Sequence, residues 1–138
     1  MLYSLIITLF FGLHQNLSVT GQWVTIDDET GKEKSEVTVY IKQNRLYARI
    51  DRLLLEEDQG KRCIECKDDK QGQPIEGMLI INGLEPDGDS WSDGEILDPA
   101  NGKYYACTLA LEDANTLSVR GYIGFSFIGR TQQWKRKQ

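Results

Sequence analysis

The chain has 138 residues, 40% of them hydrophobic and 27% charged, with a formal net charge of −5. This is the length of one domain with a single core and an ordinary composition for a globular protein. The acidic balance excludes a nucleic-acid surface, which needs a basic stripe, and serves mainly solubility.

Met1 to Leu13 (MLYSLIITLFFGL) is uncharged and almost wholly apolar. A membrane-crossing helix needs roughly 17 to 25 such residues, so no integral membrane span is expected. The run matches the apolar stretch of a secretory signal, followed by the polar and small residues Gln15 to Thr20. It has no Lys or Arg in front and no Ala-x-Ala cleavage site; a retained N-terminal anchor or a first buried strand are the alternatives. The expected organisation is a signal over residues 1–20 and one domain over residues 21–138, exported to the periplasm or secreted. The absence of cysteine near Thr20 speaks against lipid attachment. Residues 21–138 contain no histidine, since His14 precedes them. That excludes Ser-His-Asp and Cys-His nucleophile pairs, His-ligated zinc and the usual proton shuttle near neutral pH.

Gly21-Gln22-Trp23 opens a train of short alternating segments. Trp23 to Ile26 reads as a strand leading into the polar turn Asp27-Asp28-Glu29-Thr30-Gly31. Val37, Val39 and Ile41 alternate with Thr38, Tyr40 and Lys42, and Leu46, Ala48 and Ile50 alternate with Tyr47, Arg49 and Asp51. With Gln43-Asn44 as a tight turn between them, these segments predict a hairpin. Met78 to Ile81 is a continuous apolar run, and Asp87-Gly88-Asp89 turns the chain into Ser90 to Leu97. Asp98-Pro99-Ala100-Asn101-Gly102 is a further turn. Tyr105, Cys107, Leu109 and Leu111 then share one face, followed by Leu117, Val119 and Gly121. The last predicted strand runs from Ile123 to Arg136, with Phe125 and Phe127 on one face and Ile128, Arg130 and Trp134 on the other. About eight strands with short links predict an all-β fold, a single antiparallel up-and-down barrel over a narrow interior.

The long connection from Leu53 to Gly77 interrupts this rhythm; a connection of that length in a compact domain is usually functional. Leu53-Leu54-Leu55 is a candidate helical turn or cover for a barrel mouth, burial against the wall being the plainer reading. Cys63-Ile64-Glu65-Cys66 is the one recognisable chemical motif. A structural disulfide suits an oxidising compartment, and a redox-active dithiol is the alternative. Against the latter, redox pairs sit at a helix start in a βαβ unit. A metal site fails on ligand count, and no cofactor is implied. Cys107, on an apolar face, reads as a buried thiol. The clusters Asp27-Asp28-Glu29 and Asp87-Gly88-Asp89 lack the ligand series of a calcium loop and read as turn chemistry. Trp23, Val39, Ile41, Tyr105, Leu109, Phe125 and Phe127 are the candidate barrel lining. They would either fill the core or line a cavity for an apolar or amphipathic molecule.

Gly21-Gln22-Trp23, Ile26-Asp27-Asp28, Gly31-Lys32, Ile96 to Pro99, Asn101-Gly102-Lys103, Val119 to Gly124 and Gly129 to Gln132 with Trp134 together resemble a family of small exported bacterial proteins. That family is known as a domain of unknown function with a lipocalin-like, calycin-type barrel, and the likeness runs from Gly21 to about Arg136. Cys63, Cys66 and Cys107 also fit its pattern. The resemblance implies the fold more firmly than any activity. Lipocalins open with Gly-x-Trp and place a late arginine across the tryptophan, so it implies Arg120 or Arg130 over Trp23. The function expected first is non-enzymatic binding of a small hydrophobic or amphipathic ligand. A filled barrel acting as an interaction module, or a Cys63/Cys66 redox factor, are the alternatives.

Overall fold

The structure, a computed structural model, describes residues 18–123 and 128–138. Phe125, Phe127, His14 and the apolar run before it lie outside the described residues. Eight antiparallel strands close into one barrel, each bonded to the next in chain order. They are β1 (Gly21–Ile26), β2 (Glu33–Lys42), β3 (Arg45–Leu53), β4 (Leu79–Asp87), β5 (Ser90–Asp98), β6 (Lys103–Asp113), β7 (Thr116–Ile123) and β8 (Ile128–Arg136).

The alternation of the sequence is the alternation of the wall. On β2, Ser35, Val37 and Val39 are buried while Glu36, Thr38 and Tyr40 between them face outward and are half-buried. Gln43 and Asn44 both adopt positive φ, 51° and 61°, the backbone of a two-residue turn whose twist matches its flanking strands. Tyr40 and Tyr47, paired across that hairpin, stack on the outside with ring centroids 5.3 Å apart.

An up-and-down barrel has two ends. At one lie the start of β1, the hairpins β2–β3, β4–β5 and β6–β7, and the end of β8. This end is filled: Trp23, Val37, Leu46, Ala48, Leu84, Leu109 and Leu117 have no exposed surface. Gly94 on β5 makes room for the packing, since a Cβ there would stand 2.7 Å from a Leu84 methyl.

At the opposite end lie the β1–β2 turn, the β5–β6 turn and the connection between β3 and β4. That connection is folded onto the barrel. It holds short 3-10 turns at Glu56–Asp58 and Asp68–Lys70, the first just beyond the leucines proposed for a turn, and Leu53 itself ends β3. An isolated bridge joins Arg62 to Pro74, and the Cys63 N–H donates to the Gln73 carbonyl at 2.8 Å. Cys63, Cys66, Ile75 and Met78 are buried and join the core.

Candidate functional site

The closed end is fastened around Trp23. Its indole N–H donates to the Val19 carbonyl at 2.9 Å, and the Arg136 guanidinium lies over the ring, 4.3 Å from its centroid. Arg136 also donates from Nε to Ala114 O at 2.7 Å, from Nη1 to Thr20 O at 3.2 Å and from Nη2 to Ser18 O at 2.7 Å. One planar fork thus ties the chain before β1 and the β6–β7 turn to the end of β8. The arginine across the tryptophan is Arg136 rather than Arg120 or Arg130. Antiparallel pairing is the reason: Trp23 is registered opposite Arg136. Arg130 is six residues earlier on β8, roughly 20 Å along a strand, at the open end.

A cavity of about 810 Å³ opens under the β3–β4 connection, within the usual size of small-ligand sites. Its apolar wall comes from Ile50, Leu53, Ile80, Ile96, Leu97 and Val119, with Trp134 at its base. Gly121 faces the same space: a Cβ there would stand 3.4 Å from Tyr105 Cβ and 3.6 Å from an Ile96 methyl.

Polar groups are set into this wall at a few points. The buried hydroxyls of Thr25 and Ser35 share a hydrogen bond of 2.6 Å. The Trp134 indole N–H donates to Gln132 Oε1 at 3.3 Å, and Gln132 Nε2 donates to Asp28 Oδ2 at 3.2 Å. Tyr105 carries its hydroxyl to the rim, where Asn101 Nδ2 donates to it at 2.9 Å. The rim is of mixed charge, with Lys34, Lys61, Arg62 and Arg130 among Asp58, Glu65 and Asp98. It is also locally greasy: Ile64 and Ile123 stand 69% and 59% exposed at this mouth.

The disulfide Cys63–Cys66 anchors the connection beside the mouth. Cys63 is fully buried, with its sulfur 3.4 Å from the Pro99 carbonyl oxygen; a disulfide sulfur carries no proton, so this is packing. Gly102, with φ of +71°, lies against the Glu65 carbonyl where no Cβ fits. The β5–β6 turn and the connection therefore meet backbone to backbone.

The proposed lining residues divide between the two halves. Tyr105 lines the cavity. Trp23, Val39 and Leu109 are buried in the filled half. Ile41 is 41% exposed, because β2 runs past the end of the barrel into its hairpin and leaves an inward-facing position without a roof. Phe125 and Phe127 fall outside the described residues. Thr25, Ser35, Gln132 and the rim pair Ile64 and Ile123 were not singled out in the sequence. Polar residues on strand faces look like outward positions until the register is known.

Asp27 is turn chemistry, accepting the backbone N–H groups of Glu29 at 3.0 Å and Thr30 at 2.8 Å. The Thr30 N–H foremost, with its hydroxyl, the Glu29 N–H and Lys34, holds the carboxyl below its ordinary range. Asp98 likewise accepts the Ala100 N–H at 2.9 Å. Burial pushes the Cys107 thiol up to about 12. Among the described residues, no group of three or more His, Cys, Asp or Glu side chains could hold a metal ion, and no helix is long and apolar enough to cross a membrane.

Comparison with curated proteins finds no match. Among solved structures, the fold is similar to that of a Helicobacter pylori protein described as "Protein HP1028 from the human pathogen Helicobacter pylori belongs to the lipocalin family". The TM-score is 0.75 at 18% sequence identity, over 88% of this chain and 84% of that one. The likeness is one of fold, a lipocalin-like barrel. The family model described as "Uncharacterized protein conserved in bacteria (DUF2147)" matches residues 21–136, from the glycine that opens β1 to the arginine that closes β8, and the chain belongs to that family.

Proposed function

We propose that this protein is a carrier that holds a small apolar or amphipathic molecule in the open half of its barrel. The observation that carries the reading is the division of the two ends: one packed around Trp23, the other holding an open cavity of about 810 Å³ that runs from the rim under the β3–β4 connection to Trp134. An aliphatic wall with Gln132, Tyr105 and the Thr25–Ser35 hydroxyls set into it suits a ligand with an apolar body and a polar end. The reading is non-enzymatic, in keeping with residues 21–138 having no histidine. It places the protein outside the cytoplasm, where the Cys63–Cys66 disulfide would persist. The lipocalin-family membership of the Helicobacter pylori neighbour supports the carrier reading by analogy of fold alone.

The test is native mass spectrometry of protein from its own host, with organic extraction and identification of what is released. A stoichiometric small molecule is expected. Val119→Phe, which puts a ring into the cavity from β7, is expected to abolish its retention while the protein stays folded. A bare polypeptide mass in the wild type would overturn the reading. It would favour instead an interaction module that uses the exposed Ile64 and Ile123 of the rim.

A further inference from the structure

The wall of the barrel is not equally strong all round. β7 and β8 pair without a break from Thr116↔Lys135 to Ile123↔Ile128, and β2 and β3 pair along their whole hairpin. Between β1 and β8 the ladder comprises Trp23↔Arg136 and Val24↔Lys135. Just beyond, the β1–β2 register shifts between Thr25 and Ile26, with Lys34 of β2 as the extra residue, and a bulge of that kind locally disrupts the ladder beside the seam. The base of the seam is fixed by the Arg136 fork and by the Lys137 N–H donating to Gln22 O at 3.0 Å. Among the described residues, no ladder pair crosses its upper part.

Residues on both sides of that upper seam line the cavity. Thr25 and Ile26 line it from β1, and Gly129, Arg130, Gln132 and Trp134 line it from β8. The two sides are joined through one carboxylate in the β1–β2 turn. Asp28 Oδ2 accepts from Gln132 Nε2 at 3.2 Å and pairs with Arg130 Nη1 at 3.1 Å. Gln132 in turn accepts the indole N–H of Trp134 at the cavity base. An unbroken run of polar contacts therefore links the inside of the cavity to an exposed ion pair on the seam. Exposed pairs of this kind are weak, so opening here costs less than breaking a backbone ladder.

We propose that the β1–β8 seam above the Val24↔Lys135 pair is a side entrance to the cavity, latched by the chain Trp134–Gln132–Asp28–Arg130, through which an amphipathic ligand enters. The proposal rests on the carrier reading above. A polar group arriving beside Trp134 competes for the bonds of Gln132 and so loosens the latch from within. The pinned base lets the two strand ends splay without unplugging Trp23.

Amide hydrogen exchange on the full-length chain tests the latch without any ligand. In Asp28→Ala, the amides of Thr25, Ile26 and Thr131 to Trp134 are expected to exchange about fivefold faster, the scale of one exposed ion pair and one hydrogen bond. The β2–β3 hairpin should be unchanged, and Arg130→Gln should show a smaller effect at the same amides. Exchange at the seam that is unaltered in both variants overturns the latch. Stopped-flow binding of N-phenylnaphthylamine tests the entrance: association and dissociation are both expected to rise about fivefold in Asp28→Ala with Kd held within about twofold. A dye that binds at rates indifferent to Asp28→Ala, or sensitive to Ile64→Ala at the end mouth instead, overturns the side entrance alone. A dye that does not bind the wild-type chain counts against the carrier reading and the entrance with it.

Discussion

Replacing Arg136 by alanine is the most exacting test of how the closed end is held. The side chain donates three hydrogen bonds to carbonyls, at 2.7, 3.2 and 2.7 Å, and covers the Trp23 ring at 4.3 Å. Each bond contributes about 1 kcal/mol net and the cation–π contact a similar amount. The three carbonyls are only part-buried, so water recovers some of that loss, and a total cost of about 3 kcal/mol follows. For a domain of this size that lowers Tm by about 10 °C. The assay is urea unfolding followed by far-ultraviolet circular dichroism, with an m-value equal to wild type so that the change belongs to the folded state. Arg136→Lys keeps the charge but loses the planar fork, and should recover less than half of the loss. A cost below about 1 kcal/mol for Arg136→Ala, or an equal cost for Arg120→Ala or Arg130→Ala, would refute the assignment of the closing arginine.

Three further outcomes are expected. Cys63→Ala with Cys66→Ala removes a cross-link over a very short loop, worth about 2 kcal/mol by loop-closure entropy, and should bring protease cleavage into the β3–β4 connection first; cleavage elsewhere would argue against its role in fastening that segment. Cys107, with its thiol pushed up to about 12 by burial, should resist a disulfide-exchange reagent at mildly alkaline pH and react once the chain is unfolded; rapid labelling of the native protein would contradict its burial. Asp27 and Asp113 are both held below the ordinary carboxylate range, Asp27 chiefly by the Thr30 N–H and Asp113 chiefly by the Asn115 N–H. Depressed folded-state values mean that their stabilisation is present above the unfolded value of about 3.9 and is lost as pH falls through the folded one. The urea midpoint of Asp27→Asn with Asp113→Asn should therefore fall less steeply with acidification below about pH 4 than that of wild type; an identical slope would count against these turns.

The strand count and chain order were legible because alternation and turn residues act locally. Val37 and Val39 announce an inward face by spacing alone, and the Gln43-Asn44 turn sets the register of the hairpin around it. What was not legible is how far along the barrel each inward residue sits. Val39, Tyr105 and Ile41 all follow the same period, yet one is core, one lines the cavity and one is exposed beyond the hairpin end. Depth along the axis depends on strand stagger, a property of all eight strands together. The closing arginine was misplaced for a related reason. In a closed antiparallel barrel the start of the first strand meets the end of the last, and that rule alone selects Arg136 over Arg120 and Arg130. Gln132 was passed over because the polar run Thr131-Gln132-Gln133 between Arg130 and Trp134 looks like solvent-facing sequence. Its inward role depends on Asp28 across the seam, 104 positions away in the chain.

The clasp of Arg136 on Ser18 and Thr20 has a practical corollary. It brings the chain leading into β1 and the chain leaving β8 out through the same face, opposite the mouth. A fluorophore, an affinity handle or a chip linkage attached near Ser18 or Gln138 would leave the end mouth unobstructed and all molecules displayed in one orientation. The same proximity suits the domain of residues 18–138 to circular permutation: a short linker could join Gln138 to Ser18, with new ends cut at the β2–β3 hairpin tip.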